Sequence, residues 1–450
     1  MKYAVIGAGW AGCSAAVELA RRGHQVALFE ASRTLGGRAR QVSVHGLMLD
    51  NGQHILLGAY KATLGLFDTL KLRQDRVLRR LPLQMCYPEG SGGMVFAAPR
   101  LPSPLHMLVA LIRATGLTRA DKLALARFSS AARWMDWQLH TDCTVAELLD
   151  RFDQTDNLNR LMWHPLCIAA LNTPAHRASA IVFLNVLKDS LGSRRAASDM
   201  LIARTDLTRL LPEPAARFVE AHGGTVHPGC AVQSVTRSGD QWQLVLPATH
   251  PAGPALADQR YDGLVIATPA ETAGHLLTPF NLASHIPRFE YEPITTCYLK
   301  YPPGTRLSRP FMALAEDPGR HAYGQFVFDR GQLDGHAGLF AVVISGSQQA
   351  IESGHAELAT RCAQQLATDL KLPELTHPEW SQGITEKCAT FACTPNLQRP
   401  THALPLPRCA LAGDYTQSRY PATLETAVQS GIMAADCVAG DHESINESRF

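Results

Sequence analysis

Apolar and polar positions change their period along the chain. Residues 3–6 form a short apolar run that meets Gly7, residues 12–22 are rich in Ala, Ser, Glu and Leu, and residues 26–30 (VALFE) are apolar up to an acid. Strand, helix, strand in this order predicts a parallel sheet with helices on its faces. From about 60 to 198 the pattern turns mainly helical, with candidate helices at 105–112, 119–137 and 181–191. Strand-like runs return at 225–235, 242–245 and 264–267, and again at 295–301, 323–328 and 339–345, before a helical stretch at 356–370. The end repeats the opening pattern: an apolar run at 409–412, the turn Gly413-Asp414, and a small-residue helix at 424–438. Gly- and Pro-rich joints at 247–257 and 302–310 read as surface loops.

The first turn carries the chemistry. Gly7-Ala8-Gly9-Trp10-Ala11-Gly12 is G-x-G-x-x-G, placed directly after a strand and opening a helix. The first glycine permits the turn, the second lets backbone approach a pyrophosphate, and the third lets helix and strand pack closely. The helix N-terminus offers unpaired N–H groups to an anion. Glu30 ends the second strand, eighteen positions after Gly12, close to the spacing of about 20 for a ribose-binding acid. Its charge repels a 2′-phosphate, which disfavours NADP. Gly36-Gly37-Arg38 adds a second tight turn and a phosphate-binding cation, and Asp50-Asn51-Gly52-Gln53-His54 a third turn. Gly52 there permits close approach of a flat ring. At the far end, Asp414 at a strand tip suits a polyol hydroxyl, and the helix that follows offers N–H donors to a flavin's polar edge.

A chain of 450 residues exceeds one ordinary core, so two domains are expected. One is assembled from 1–60, 198–285 and 400–440, the other from 61–197 and 286–399, with 441–450 as a C-terminal tail. The fold class is α/β: a Rossmann-like dinucleotide-binding domain with a parallel sheet, plus an inserted α+β substrate domain with a mixed sheet and a helical part.

Composition narrows the partners. Hydrophobic residues are 46% and charged residues 18%, and the net charge of +2 gives no reason to propose nucleic acid. The 11 cysteines are scattered without metal-ligand pairs, so no metal is expected and a reduced, cytoplasmic protein is the simplest reading. No secretory signal and no run approaching the ~20 apolar residues of a membrane span is visible. The protein is expected to be soluble or to sit on a membrane surface. Residues 105–127 combine an apolar helix with Arg113, Arg119, Lys122 and Arg127, next to Arg100 and opposed only by Asp121. That segment is a candidate contact with anionic lipid on the cytoplasmic face; a core helix with solvated basic neighbours accounts for it nearly as well.

Over nearly its full length the chain resembles the flavin amine oxidase and phytoene desaturase superfamily. Within it, the chain is most similar to hydroxysqualene dehydroxylases. The resemblance rests on GAGWAG and DNGQHILLG at the front, on WHPLCIAALNTP and ASDML in the middle, and on EKCATFACTP and LAGDYT with PATLETAVQSG at the back. It implies FAD as cofactor. Cofactor contacts would come from Gly7, Ala8, Gly9, Trp10, Ala11 and Gly12; from Glu30 and Ala31 at the adenosine ribose; and from Gly37 and Arg38 at the pyrophosphate. Gly52, Gln53 and His54, Val232 at the adenine, Gly413 and Asp414 in the ribityl–pyrophosphate region, and Ala422 and Thr423 complete the set. The implied reaction reduces hydroxysqualene to squalene in squalene and hopanoid biosynthesis. A desaturase acting on a carotenoid precursor, or a non-enzymatic isoprenoid carrier, would share the fold. His54, His164 and Glu425 are the candidate catalytic groups, and the residues do not choose among them. Nothing in the sequence identifies the electron donor.

Overall fold

The computed structural model describes residues 1–192, 194–247, 256 and 258–440. The 441–450 tail and most of the 247–257 joint therefore lie outside the described residues. Lys2–Ile6 is the middle strand of a five-stranded parallel sheet ordered Thr225–Pro228, Gln25–Glu30, Lys2–Ile6, Gly263–Ile266, Cys409–Leu411. Its three inner strands are almost wholly buried runs of aliphatic and aromatic residues, as parallel strands covered on both faces require. The register sets Ile6 beside both Phe29 and Ile266, so the tips carrying Gly7, Glu30 and Ala267 emerge together at one edge.

The first helix, Trp10–Arg21, packs on the last, Leu424–Ala439. A Cβ at Gly431 would lie 2.0 Å from Ser14 Oγ and 2.1 Å from the Ala11 carbonyl oxygen. Only glycine permits this approach, and it fastens the two ends of the chain together.

A second five-stranded sheet is ordered Phe311–Ala313, Phe326–Asp329, Leu339–Ser345, Tyr291–Lys300, Trp380–Phe391, with every pair antiparallel. Alternation divides its faces. Cys297, Leu299, Val342 and Ile344 pack under the helix His355–Leu370, while Phe326, Phe328 and Val343 face the central cavity.

Several elements differ from the sequence expectations. The run 225–235 is two strands, Thr225–Pro228 and Ser234–Ser238, because Pro228 and the left-handed Gly229 (φ 73°) turn the chain out of the sheet. The helix expected to reach residue 137 ends at Trp134, since Asp136 and Trp137 adopt φ of 51° and 60°. The run 323–328 becomes a strand only from Phe326. The stretch from 60 to 198 also holds the strands Leu78–Leu81, Gln84–Cys86 and Val95–Ala97 among its helices. The 12-residue strand Trp380–Phe391 was not expected: its sequence, WSQGITEKCATF, is too polar to read as a strand, and pairing with Tyr291–Lys300 makes it one.

Candidate active site

The two strand–turn–helix ends meet on one cavity of about 1310 Å³. At the front turn each glycine does a different job. Gly7 has φ 102°, and a Cβ there would sit 2.4 Å from the Ala267 carbonyl oxygen. A Cβ on Gly12 would sit 1.8 Å from the Gly7 carbonyl oxygen, so this glycine lets the helix close onto the strand. A Cβ on Gly9 would meet nothing nearer than Gly37 Cα at 3.9 Å and would project into the cavity. Glu30 braces the turn by accepting from the Ala8 N–H at 2.8 Å and the Ser32 N–H at 2.9 Å.

Gly7, Gly9, Trp10, Ala11, Glu30 and Ala31 line the cavity, as do Gly37, Arg38, Gly52, Gln53 and His54. Val232, Gly413, Asp414, Ala422 and Thr423 line it from the other segments. Two sequence-predicted cofactor residues are not on the lining. Ala8 is fully buried, its N–H held by Glu30, and Gly12 lies beneath the turn. Arg38 and Asp414, both expected toward the pyrophosphate, touch one another: Arg38 Nη2 donates to Asp414 Oδ1 at 2.6 Å. Arg38 also donates to the Ala389 carbonyl at 2.7 Å. Burial alone would lower the guanidinium pKa, but Asp414 outweighs it and raises it. Arg38 is therefore a fixed cation at the rim.

The three catalytic candidates separate. His164 is exposed at the start of the helix His164–Leu171 and is not on the cavity lining. Glu425 is buried at the cavity wall with its carboxylate committed. It accepts from the Ala62 and Thr63 N–H groups at 2.9 Å each, from the Thr63 hydroxyl at 2.7 Å and from Gln429 Nε2 at 3.1 Å. The helix Lys61–Thr69 has no side-chain cap of its own at Tyr60, and Glu425 supplies one from across the fold. In this geometry its carboxylate serves the start of that helix.

His54 does line the cavity. Burial first, and Arg38 second, push its imidazole pKa down to about 4, so it is neutral at pH 7. The unfolded chain, with an imidazole near 6.5, binds a proton more readily than the folded one. Stability from this group is present above pH ~6.5 and is lost as pH falls through the folded value. His54→Gln is expected to remove up to one proton of slope, about 1.4 kcal/mol per pH unit, from the acid limb of stability between those values. Urea unfolding at stepped pH measures it, and an unchanged slope would show that His54 is charged in the folded chain.

Two supports were not legible in the sequence. Arg399 gathers the backbone carbonyls of the flavin-side loop, donating to Tyr420 at 2.6 Å, to Ser418 at 3.1 Å and also to Asp414. Behind the turn at residues 51–54, Arg330 pairs with Asp50 and Asp334 and donates to Gln53 Oε1, while Gln53 Nε2 donates to the Tyr298 hydroxyl at 2.8 Å. Burial pushes the Asp50 pKa up to about 6 against the pull of Arg330. Neither arginine sits in a local motif; each is identified only by what folds against it.

The residues present fit a flavin nucleotide. A glycine cradle stands open over Gly9, an acid stands at the tip of the second strand, and the Tyr415 phenol on the lining is buried without a hydrogen-bond partner among the described residues. Beyond this region the cavity turns apolar, lined by Met107, Leu111, Phe128, Trp163, Phe326 and Phe328. Its volume exceeds the roughly 300–1,000 Å³ of a single-ligand site, which leaves room for a cofactor and a second, apolar molecule.

Comparison with known proteins agrees with this geometry. The family model described as flavin containing amine oxidoreductase matches residues 10–439. Hydroxysqualene dehydroxylases of Rhodopseudomonas palustris and Zymomonas mobilis are 28% and 26% identical, each match covering 96% of this chain and 97% of the relative. A zeta-carotene desaturase of Synechocystis sp. is 21% identical over 97% of each chain. Among solved structures, an oxidoreductase from Methanosarcina mazei superposes with a TM-score of 0.70 at 13% identity, covering 96% of this chain and 99% of that one.

Proposed function

The chain belongs to the flavin-containing amine oxidoreductase family and is a flavin-dependent oxidoreductase, and from that premise we propose that it binds FAD and reduces hydroxysqualene to squalene, in squalene and hopanoid biosynthesis. The observation that carries the reading is one cavity in which a dinucleotide cradle runs directly into an apolar chamber. The full-length similarity to hydroxysqualene dehydroxylases supports the choice of substrate. FAD, when bound in its reduced form, supplies the hydride. The chain's own residues hold the nucleotide at Gly9 and Glu30, fix the rim charge through Arg38 and Asp414, and line much of the rest with hydrocarbon. An allylic carbinol ionises to a delocalised cation when its hydroxyl takes up a proton and leaves as water, so a dry chamber protects the reacting carbon from recapture by water.

The test is an anaerobic mixture of photoreduced enzyme and hydroxysqualene. Squalene is expected to appear as the flavin reoxidises. The relatedness to carotenoid desaturases supplies a second reading; no turnover of the alcohol, together with oxidation of phytoene by the oxidised enzyme, would replace the first with it.

A hydrocarbon of this length reaches the chamber from a bilayer, and we assign the entry to the helix Leu105–Arg113. Met107 and Leu111 line the cavity, while Leu105, Leu108 and Ile112 are 50%, 51% and 64% exposed. Trp134 is 90% exposed, and Arg113, Arg119, Lys122 and Arg127 supply positive charge in the same segment of chain. The surface combines an apolar face with cations, which suits an anionic lipid headgroup layer. Among the described residues no helix is long and apolar enough to cross a membrane. Arg113→Glu with Lys122→Glu is expected to weaken sedimentation with anionic liposomes by roughly tenfold or more, at about 1 kcal/mol per basic residue. Equal sedimentation of parent and variant would remove the docking surface.

A further inference from the structure

Most acidic side chains on the cavity wall are already committed at the cofactor end. Glu30 holds the first turn, Asp414 pairs with Arg38, Glu425 caps a helix, and Glu386 accepts from Asn51 Nδ2 at 3.2 Å. The remaining acid on the lining is Asp189. It stands on the helix Ala180–Leu191, whose Val186, Leu187 and Leu191 line the apolar chamber. Its side chain is 38% exposed, so the carboxylate stands half-buried at the edge of that chamber.

One partner comes from the opposite wall. The Tyr420 hydroxyl donates to Asp189 Oδ2, and Arg419 Nη2 lies 3.8 Å from the same oxygen. Asp189 Oδ1 has no hydrogen-bond partner among the described residues. Burial and Asp189 both raise the Tyr420 phenol, which therefore stays protonated at neutral pH and keeps donating to the carboxylate. Pro421, Ala422 and Thr423, the next residues of the Tyr420 loop, line the cavity at the start of the last helix. The pair thus bridges the chamber wall and the cofactor-side loop, at the junction where two ligands would meet.

We propose that Asp189 and Tyr420 receive the hydroxyl of an isoprenoid alcohol and select the alcohol over the corresponding hydrocarbon. The alcohol O–H donates to Asp189 Oδ1, while Tyr420 holds the carboxylate in place. A hydrocarbon in the same position strips water from that oxygen and returns no hydrogen bond. A site built to bind a hydroxyl rejects the analogue that lacks it for this reason. The inference rests on the dehydroxylase reading, since an enzyme whose substrate and product are both hydrocarbons gains nothing from the pair.

The test compares equilibrium binding of hydroxysqualene and squalene to the flavin-loaded enzyme in detergent, read by quenching of tryptophan fluorescence; Trp137 and Trp163 line the cavity. The parent enzyme is expected to prefer the alcohol by about 10–100-fold, the range of a hydrogen bond to a charged group. Asp189→Leu is expected to bring the preference to within about threefold, weakening the alcohol and tightening squalene, with flavin content at the parental value. Tyr420→Phe, which only frees the carboxylate to move, is expected to lose part of it. Parental flavin content certifies each variant as folded, and Asp189→Asn gives a second, isosteric probe with a weaker acceptor. An undiminished preference in both Asp189 variants overturns the proposal while leaving the dehydroxylase reading intact. A parent that neither binds nor converts hydroxysqualene overturns both.

Discussion

Gly9→Leu is expected to give a folded chain that takes up no flavin, and Gly12→Val a chain that does not reach a stable fold. The two positions lie in one turn, and only geometry separates them. At Gly9 the added Cβ has 3.9 Å of clearance, and the rest of the leucine points into the cavity. Folding has nothing to overcome, whereas a pyrophosphate backed against that turn loses its place. At Gly12 the added Cβ falls 1.8 Å from the Gly7 carbonyl oxygen, with Gly7 C at 2.9 Å and Ala267 Cβ at 3.1 Å. The two nearest obstructing atoms are backbone in the central parallel strand's own turn, so no rotamer change relieves the clash. Ordinary overpacking costs about 1–3 kcal/mol; a clash with fixed backbone exceeds that and consumes much of a marginal stability of about 5–15 kcal/mol. Thermal unfolding with flavin absorbance per chain reads both effects. A Gly9→Leu protein with full flavin content would show that the nucleotide is not cradled there.

Glu425→Ala is expected to destabilise the chain by at least about 3 kcal/mol, through a helix more than 360 positions away in sequence. The carboxylate satisfies two N–H groups at the start of Lys61–Thr69 and the Thr63 hydroxyl. Removing it orphans these buried donors at roughly 1–3 kcal/mol each. Glu425→Gln, which keeps one acceptor, is expected to lose less. Denaturant unfolding of the two variants gives the measurement. If Glu425→Ala unfolds like the parent yet loses turnover, the carboxylate is an acid in the reaction after all, and the helix is capped in some other way.

These two cases mark the limit of reading along the chain. The G-x-G-x-x-G turn was legible because its requirements are local: a strand, a turn with positive φ, and a helix that must close onto it, all within twelve residues. Asp414 was legible for the same reason, as an acid at a strand tip before a helix. Glu425 shows the same local context, an acid at a helix start, but its partners at Ala62 and Thr63 lie beyond any local pattern. His164 sits in an equally suggestive segment, yet its helix turns it outward, away from Trp163 on the cavity wall.

The sequence by itself determined the α/β class, the parallel-strand ends and the glycine cradle, because backbone sterics and hydrophobic period act between near neighbours and leave a signature in the residues that obey them. Only the tertiary structure decided that Arg38 answers Asp414, that Arg399 and Arg330 hold the loops beside the cavity, and that Asp189 meets Tyr420 across it. A polar side chain buried in a fold is defined by the groups that satisfy it, and those come from segments hundreds of residues apart whose meeting no local pattern encodes.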